Sequence, residues 1–417
     1  MFNIIEDLRW RGLIKDYSNE KEVEELLKTP QTIYCGFDPS ASSLHIGNFV
    51  MISLLMRFQR AGHKVIAVVG GATGMIGDPS GKSSERNLQT MEALLGNTNS
   101  IKRQLERFID LEDPEKGMLI NNYDWIAPMS VLDFLRDYGK HFSINYLLAK
   151  DIIASRLESG ISFTEFSYNI IQAIDFLTIY DKYGCKIQVG GSDQWGNLTS
   201  GLELIRKARG SEAKAEIITC HLITRADGKK FGKSEKGALF LDPELTSPYQ
   251  LYQYFMNVTD EDAIRYLKVF TFLSREEITE IERQHLEALG ARVGQKALAY
   301  EVVKIIHGED KANEAVEMSK VLFSGDIKSL TKKQLEEVFG DLTVEVSGDK
   351  MLEDLLIEIK AASSKREARE FCKNNSISVN SEKVNDSTKI ISKEDALYNE
   401  YTLVKRGKKN YYLVKHI

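Results

Sequence analysis

The stretch TIYCGFDPSASSLHIGNFVMISLLMRFQRAGHKVIAVVGG, residues Thr32 to Gly71, decides the fold. Its two ends, TIYCGF (Thr32 to Phe37) and KVIAVVGG (Lys64 to Gly71), are short apolar runs punctuated by glycine, the pattern of buried strands. Between them Phe49 to Ala61 is apolar and free of Gly and Pro, which reads as a helix. Strand, helix and strand in succession imply a parallel sheet, because a crossover must carry the chain back before it can pair in the same direction. A third unit opens with KIQVGG (Lys186 to Gly191) and continues into helical spacing over Asp193 to Ala208. These units predict an α/β domain with a doubly wound, Rossmann-like parallel sheet over residues 1–220.

Beyond His221 strand alternation stops. Ser247 to Val258, Asp260 to Phe270, Arg275 to Leu289, Val293 to His307 and Asp310 to Leu322 carry helical apolar spacing, which predicts an α-helical domain over 221–324. Residues 325–348 are mixed and polar and read as a hinge. A small α+β domain over 349–417 follows, with alternating pieces at Ser376 to Val379 and Tyr411 to Val414.

Composition narrows the function classes. With 417 residues, 42% hydrophobic, 28% charged and 7 prolines, the chain is neither a stapled mini-protein nor disordered. Glu6, Asp7, Arg9 and Arg11 break any apolar signal core, and no run of 18 apolar residues offers a membrane span. Four cysteines without CxxC spacing support neither a zinc ribbon nor a disulfide framework, so a reducing cytoplasm and no protein-bound metal are expected. The net charge of −6 argues against a generic nucleic-acid binder. From Met351 to Ile417, however, 13 Lys+Arg stand against 10 Asp+Glu, which leaves 42 against 51 for the rest. An RNA partner would therefore be held by local basic patches.

Three segments carry the chemistry. The first, Gly77-Asp78-Pro79-Ser80-Gly81-Lys82-Ser83, looks like a phosphate-binding P-loop, but three residues separate its glycines where four are required. The glycine-rich run from Gly70 to Gly81 still implies close backbone approach, with Asp78 presented from a loop after a strand. In the second, Asp38-Pro39-Ser40 and Leu44-His45-Ile46-Gly47-Asn48 lie between the first strand and first long helix, where a helix N-terminus favours anions. There His45 can donate to a phosphate oxygen, Gly47 can admit a flat adenine, and Asn48 can hydrogen-bond a ribose or phosphate. In the third, Lys229-Lys230-Phe231-Gly232-Lys233-Ser234 gathers three lysines around a glycine at a domain junction, suited to bringing cations onto a pyrophosphate.

The last two segments together resemble the HIGH and KMSKS signatures of class I aminoacyl-tRNA synthetases. Tyr168, Gln172 and Asp175, at i, i+4 and i+7, share one face of an otherwise apolar helix, about 40° and −20° apart, and so line a pocket. Together with Tyr34-Cys35-Gly36-Phe37-Asp38 and Gly190-Gly191-Ser192-Asp193-Gln194-Trp195-Gly196, they resemble the bacterial-type tyrosyl-tRNA synthetases over nearly the whole chain.

That resemblance implies an enzyme joining L-tyrosine to its tRNA, with ATP and its Mg2+ as co-substrate. It implies that Tyr34 and Asp175 hold the phenol and that Asp78, Tyr168 and Gln172 hold the ammonium group. Gln188 and Gln194 would orient the substrate and its carboxylate. Cys35, Gly191 and Asp193 would contact the ribose, and Gly36, Asp38, Gly47, Asn48 and Ser234 the rest of the adenylate. Ser40 and His45 would meet the γ-phosphate, with Lys82, Arg86, Lys230 and Lys233 around the pyrophosphate. The fourth HIGH position is Asn48 and not His, which keeps an N–H donor but excludes proton transfer there.

In the tail, Ser364-Lys365-Arg366-Glu367-Ala368-Arg369 opens a helix resembling an S4-like RNA-binding module, with Lys365, Arg366, Arg369 and Lys373 placed to meet tRNA phosphates. The resemblance also implies a homodimer, for which Phe134 to Leu148 is the apolar candidate. A regulator on a synthetase-like scaffold would show damaged ATP signatures, and both are intact here. A tryptophan-specific relative gains nothing from two polar groups around a para hydroxyl.

Overall fold

A computed structural model describes residues 3–80, 88–154, 156–157, 160–226, 231–234, 237–324, 327–407 and 410–417. The chain divides into two compact units: residues 1–246 with 258–298, and residues 247–257 with 299–417.

The first unit is built on a six-stranded sheet of β1 (Ile14–Tyr17), β2 (Thr32–Phe37), β3 (Lys64–Val69), β4 (Gly117–Asn121), β5 (Ile187–Gly191) and β6 (Glu216–Cys220), in spatial order β1-β6-β5-β2-β3-β4. Strands β2 to β6 are mutually parallel, as their crossover pattern demands. The expected sheet is therefore present, with one difference: β1 closes the edge antiparallel to β6. The β1 segment, IKDY, is four residues long and half charged, so it carries no buried-strand pattern of its own.

The helices Phe163–Tyr183 and Trp195–Arg209 cover the sheet, and Ile170, Ala173, Ile174, Phe176, Leu198 and Ile205 form a core with Tyr34 and Ile66. The first of these helices is capped by Ser162, whose side chain accepts the Glu165 N–H, and ends on Gly184 in the left-handed region at φ 63°. Gly201 lets the pair approach, since a Cβ there would lie 3.1 Å from the Phe176 side chain.

All five helices expected after His221 are present, and the two units divide them: Asp260–Phe270 and Arg275–Glu287 in the first, Pro248–Met256 and Glu309–Ser324 in the second, with Val293–His307 crossing from one to the other. The second unit also holds a five-stranded sheet, in order Glu382–Lys383, Ile377–Val379, Tyr401–Arg406, Asn410–His416, Thr343–Val346. Residues 325–348, read as a hinge, contribute the helix Lys332–Phe339 and the strand Thr343–Val346, which pairs parallel with Asn410–His416. The polar sequence there hides a short amphipathic helix and an edge strand. Among the described residues no helix is long and apolar enough to cross a membrane.

Candidate active site

The order of strands fixes where a ligand can enter. From β2 the chain winds one way to β3 and β4, while β5 and β6 lie on the other side, so the crevice of the doubly wound sheet opens at the carboxyl ends of β2 and β5. There Tyr34 stands directly beside Gln188 in register. The loops after β2, β3 and β5 bring Asp38, Asp78 and Gln194 to the same edge.

Helix Phe163–Tyr183 presents Tyr168, Gln172 and Asp175 to this edge, and a hydrogen-bonded chain links two of them. The Tyr168 hydroxyl donates to Asp38 Oδ2 at 2.8 Å, and Thr73 Oγ1 donates to Asp38 Oδ1 at 2.7 Å. Asn122 Nδ2 donates to Thr73 Oγ1 at 3.0 Å and to Asp175 Oδ2 at 2.9 Å, and Trp125 Nε1 donates to Asp175 Oδ1 at 2.8 Å. Gly70 makes room for this chain, since a Cβ there would fall 2.0 Å from Asp38 Oδ1. On the other side Gln194 Nε2 donates to Asp78 Oδ2 at 2.7 Å, and Asn197 bridges Asp78, Ser80 and the Gln194 carbonyl.

Burial sets the charge state of this cluster. It pushes the Asp175 carboxyl up to about 7, against the opposing hydrogen bonds from Asn122 and Trp125. It likewise raises the Tyr34 phenol, which the neighbouring Asp175 charge raises further. The Tyr34 hydroxyl, Gln172 Oε1 and Gln188 Oε1 are buried without a hydrogen-bond partner in the protein. Three such atoms at one edge are costly to keep, and their retention points to a polar ligand that satisfies them.

The two signature segments are joined by backbone. Ile46 N–H donates to Leu239 O and Leu241 N–H to Leu44 O, each at 2.8 Å, so His45 and Phe240 form an antiparallel bridge. His45 caps the 15-residue helix Ile46–Arg60: its Nδ1 accepts the Asn48 N–H at 3.2 Å while Asn48 Oδ1 accepts the His45 N–H at 3.0 Å. With Nδ1 an acceptor, the neutral ring carries its proton on Nε2, and shielding pushes the ring's pKa down, which favours that neutral form. The site therefore offers an N–H donor beside the positive end of a helix dipole. Asn48 spends its carbonyl on the cap and keeps its NH2 group as a donor.

The remaining expected residues fall as follows. Cys35 is buried, its thiol raised by burial, and space stands open where a Cβ on Gly36 would lie. Gly191 lies against Asp193, whose carboxyl is raised by burial and by the Asp78 charge. Ser40 is exposed, with its N–H on Asp38 O at 2.9 Å. Lys82, Arg86 and Lys230 lie outside the described residues, and Lys233 and Ser234 are described only as a backbone strand paired with Gly237–Ala238.

In the tail, Lys365, Arg366, Arg369 and Lys373 are all exposed on one helix, but they are not equivalent. Arg369 grips Glu353 through two bonds of 2.7 and 2.9 Å, and Lys365 pairs with Asp354 at 2.6 Å. Sequence reasoning missed Thr73, Asn122, Trp125 and Asn197. Reading a strand at Gly117–Asn121 would have placed Asn122 at the ligand-facing edge.

Comparison with known proteins agrees with this geometry. Residues 27–324 match the model of tRNA synthetases class I (W and Y), and residues 334–414 match the tyrosine--tRNA ligase SYY-like C-terminal domain. The chain is 51% identical to tyrosine--tRNA ligases of Bacillus caldotenax and Geobacillus stearothermophilus, over 99% of its own length and 100% of theirs. It also matches the crystal structure of a C-terminally truncated Aspergillus nidulans mitochondrial tyrosyl-tRNA synthetase, with a TM-score of 0.70 and 31% identity, over 78% of this chain and 95% of that one. With paired signatures, a polar helix face at the switch point and relatives matching end to end, the chain belongs to the tyrosyl branch of the class I tRNA synthetases.

Proposed function

We propose that this crevice binds L-tyrosine and ATP, forms tyrosyl-adenylate and passes the tyrosyl group to the terminal adenosine of its tRNA. The observation that carries the reading is the backbone bridge between Leu44–Ile46 and Leu239–Leu241, which, through the Leu239 N–H on Gly232 O, ties an ATP-type helix N-terminus to the second signature.

The substrate carboxylate is itself the nucleophile. One of its oxygens attacks the α-phosphorus, the bond to pyrophosphate breaks, and no enzyme nucleophile is needed. Asp78, Tyr168 and Gln172 hold the ammonium group: Tyr168 sends its hydrogen to Asp38, so its oxygen lone pair is free to accept. Gln188 and Gln194 orient the substrate, with Cys35, Gly36, Asp38, Gly191, Asp193 and Ser234 around the adenylate. His45, Gly47, Asn48 and Ser40 meet the phosphates, and Lys82, Arg86, Lys230 and Lys233 offset the charge that grows on the leaving pyrophosphate, with Mg2+ arriving as part of the nucleotide. A ribose hydroxyl of the tRNA then attacks the acyl carbon and AMP leaves.

Lys233→Ala should slow adenylate formation by about 10- to 1000-fold, the scale of losing one preorganised charged stabiliser, with little change in tyrosine affinity. A normal single-turnover rate would sink the assignment of the loop.

The Asp175 environment predicts a pH dependence. Its carboxyl titrates near 7 and must be ionised to accept the phenol hydrogen, so kcat/KM for tyrosine should rise through about pH 7 and level above it. The sign for stability is opposite: a raised folded-state pKa favours the fold at low pH, and that contribution fades as pH rises through 7. Asp175→Asn should remove the acid limb of the rate profile, and its survival would assign that limb elsewhere.

A homodimer and a cytoplasmic site of action complete the proposal. Val131 and Leu132 are 72% and 76% exposed, and Leu135, Ile144 and Phe163 are exposed as well, apolar surface that a second copy would cover. Leu132→Asp should shift the sedimenting mass toward the monomer; an unchanged mass in wild type and variant would contradict the face. The four cysteines are free and buried, as suits a reducing compartment.

A further inference from the structure

The helix Asp260–Phe270 follows the second signature in sequence, and nothing so far gives it a role in the reaction. Its residues 262, 266 and 270 recur every four positions and share one face. That face grips the chain just before the signature and within it. Before it, both carboxylate oxygens of Asp262, a residue only 1% exposed, accept the Ala226 N–H at 3.2 and 3.0 Å. The Tyr266 hydroxyl donates to Thr224 O at 2.9 Å, and the Arg265 guanidinium shares that carbonyl. Within it, the Phe231 ring lies 5.0 Å from Tyr266, edge on, and 5.0 Å from Phe270, stacked at 21°.

The next residue carries the chain onto the first signature. Gly232 has φ 74°, in the left-handed region, and a Cβ there would come within 2.8 Å of Ile46 Cγ2, so only glycine passes this point without strain. Its carbonyl accepts the Leu239 N–H at 3.0 Å, and the Leu239 carbonyl in turn accepts the Ile46 N–H. The holding helix is itself tied to the helix Ile46–Arg60. Buried Arg57 donates to Val269 O and Thr271 O, and Arg11 reinforces it on Lys268 O at 3.0 Å and Leu273 O at 2.8 Å. A closed mechanical path therefore runs from the first signature through Arg57 to helix Asp260–Phe270, and back through Phe231 and Gly232.

We infer that helix Asp260–Phe270 sets the register of the second signature against the first, with Asp262 and Tyr266 as positioning residues for adenylate formation. The inference rests on the proposed role of the lysine-bearing strand. It differs from a purely structural role in one respect: loss of Asp262 or Tyr266 should matter only while the signature lysine is there to be misplaced.

The test is single-turnover adenylate formation by the full chain, with tyrosine affinity measured separately by equilibrium dialysis. Tyr266→Phe removes one hydroxyl and keeps the ring, and should slow the step by about 3- to 10-fold; Asp262→Asn, which replaces a charged acceptor, should slow it by about 10-fold or more. Tyrosine affinity should stay within about twofold, because the removed groups bond Thr224, Ala226 and Arg265 and none of the crevice residues. In a Lys233→Ala background Tyr266→Phe should cost little more, since the two act through one element. Full additivity, or tyrosine affinity falling in step with the rate, would overturn the inference. So would normal rates in Tyr266→Phe and Asp262→Asn beside a slow Lys233→Ala. A normal Lys233→Ala rate would instead overturn the reading of the signature, and the inference with it. Should Asp262→Asn fail to fold, Tyr266→Phe decides alone.

Discussion

Asp175→Ala should collapse the discrimination between tyrosine and phenylalanine, which differ by one hydroxyl. A site that needs that hydroxyl leaves buried polar groups unpaired when phenylalanine enters. Tyrosyl-tRNA synthetases reject phenylalanine by about 10⁵-fold on this ground, without editing. The groups proposed to meet that hydroxyl are the Tyr34 hydroxyl, buried without a partner, and the Asp175 carboxylate, held between Asn122 and Trp125. Tyr34→Phe should cost about 0.5 to 1.5 kcal/mol of discrimination, the worth of one neutral hydrogen bond, because Asp175 still meets the phenol. Asp175→Ala removes the charged acceptor and also strands the Asn122 and Trp125 donors, so its loss should be several powers of ten. Asn122→Ala should fall between them, at roughly 30- to 100-fold, since it leaves Asp175 in place but frees it to turn. Pyrophosphate exchange with each amino acid on the three variants reads this order directly. Full tyrosine preference in Asp175→Ala would remove the aspartate from the site.

The second large effect concerns the tail. Deleting residues 325–417 should leave pyrophosphate exchange near normal and abolish tRNA charging, because the crevice and both signatures lie in the first unit. A cut near Ser347, which sequence alone suggests, would strand the strand Thr343–Val346 by removing its partner Asn410–His416. Within the tail, Arg366 and Lys373 should matter more for RNA than Arg369, whose charge is already spent on Glu353. Equal loss of exchange and charging on deletion would mean that the tail belongs to the catalytic fold.

What the sequence disclosed follows from how local each signal is. Strands β2, β3 and β5 are continuous apolar runs, so they were legible one window at a time, and the switch point between β2 and β5 followed from them. The stripe of Tyr168, Gln172 and Asp175 was legible because helical spacing alone puts three polar heads on one face. The donors that hold Asp175 were not, since Asn122 and Trp125 lie 53 and 50 residues away, the one just before and the other within the four-residue helix Tyr123–Ile126 that follows the short strand β4. The bridge that ties the signatures was also hidden: Leu239–Leu241 carries no alternating pattern and pairs with Leu44–Ile46 only as an isolated bridge. The four tail cations looked alike because helical spacing cannot show that Glu353 and Asp354, on a neighbouring helix, neutralise two of them.

Tyrosine-dependent exchange of labelled pyrophosphate into ATP, run without tRNA against all twenty amino acids, tests the central claim most directly. The crevice described above predicts rapid exchange with tyrosine and negligible exchange with phenylalanine and tryptophan. Exchange supported by another amino acid, or by none, would contradict it.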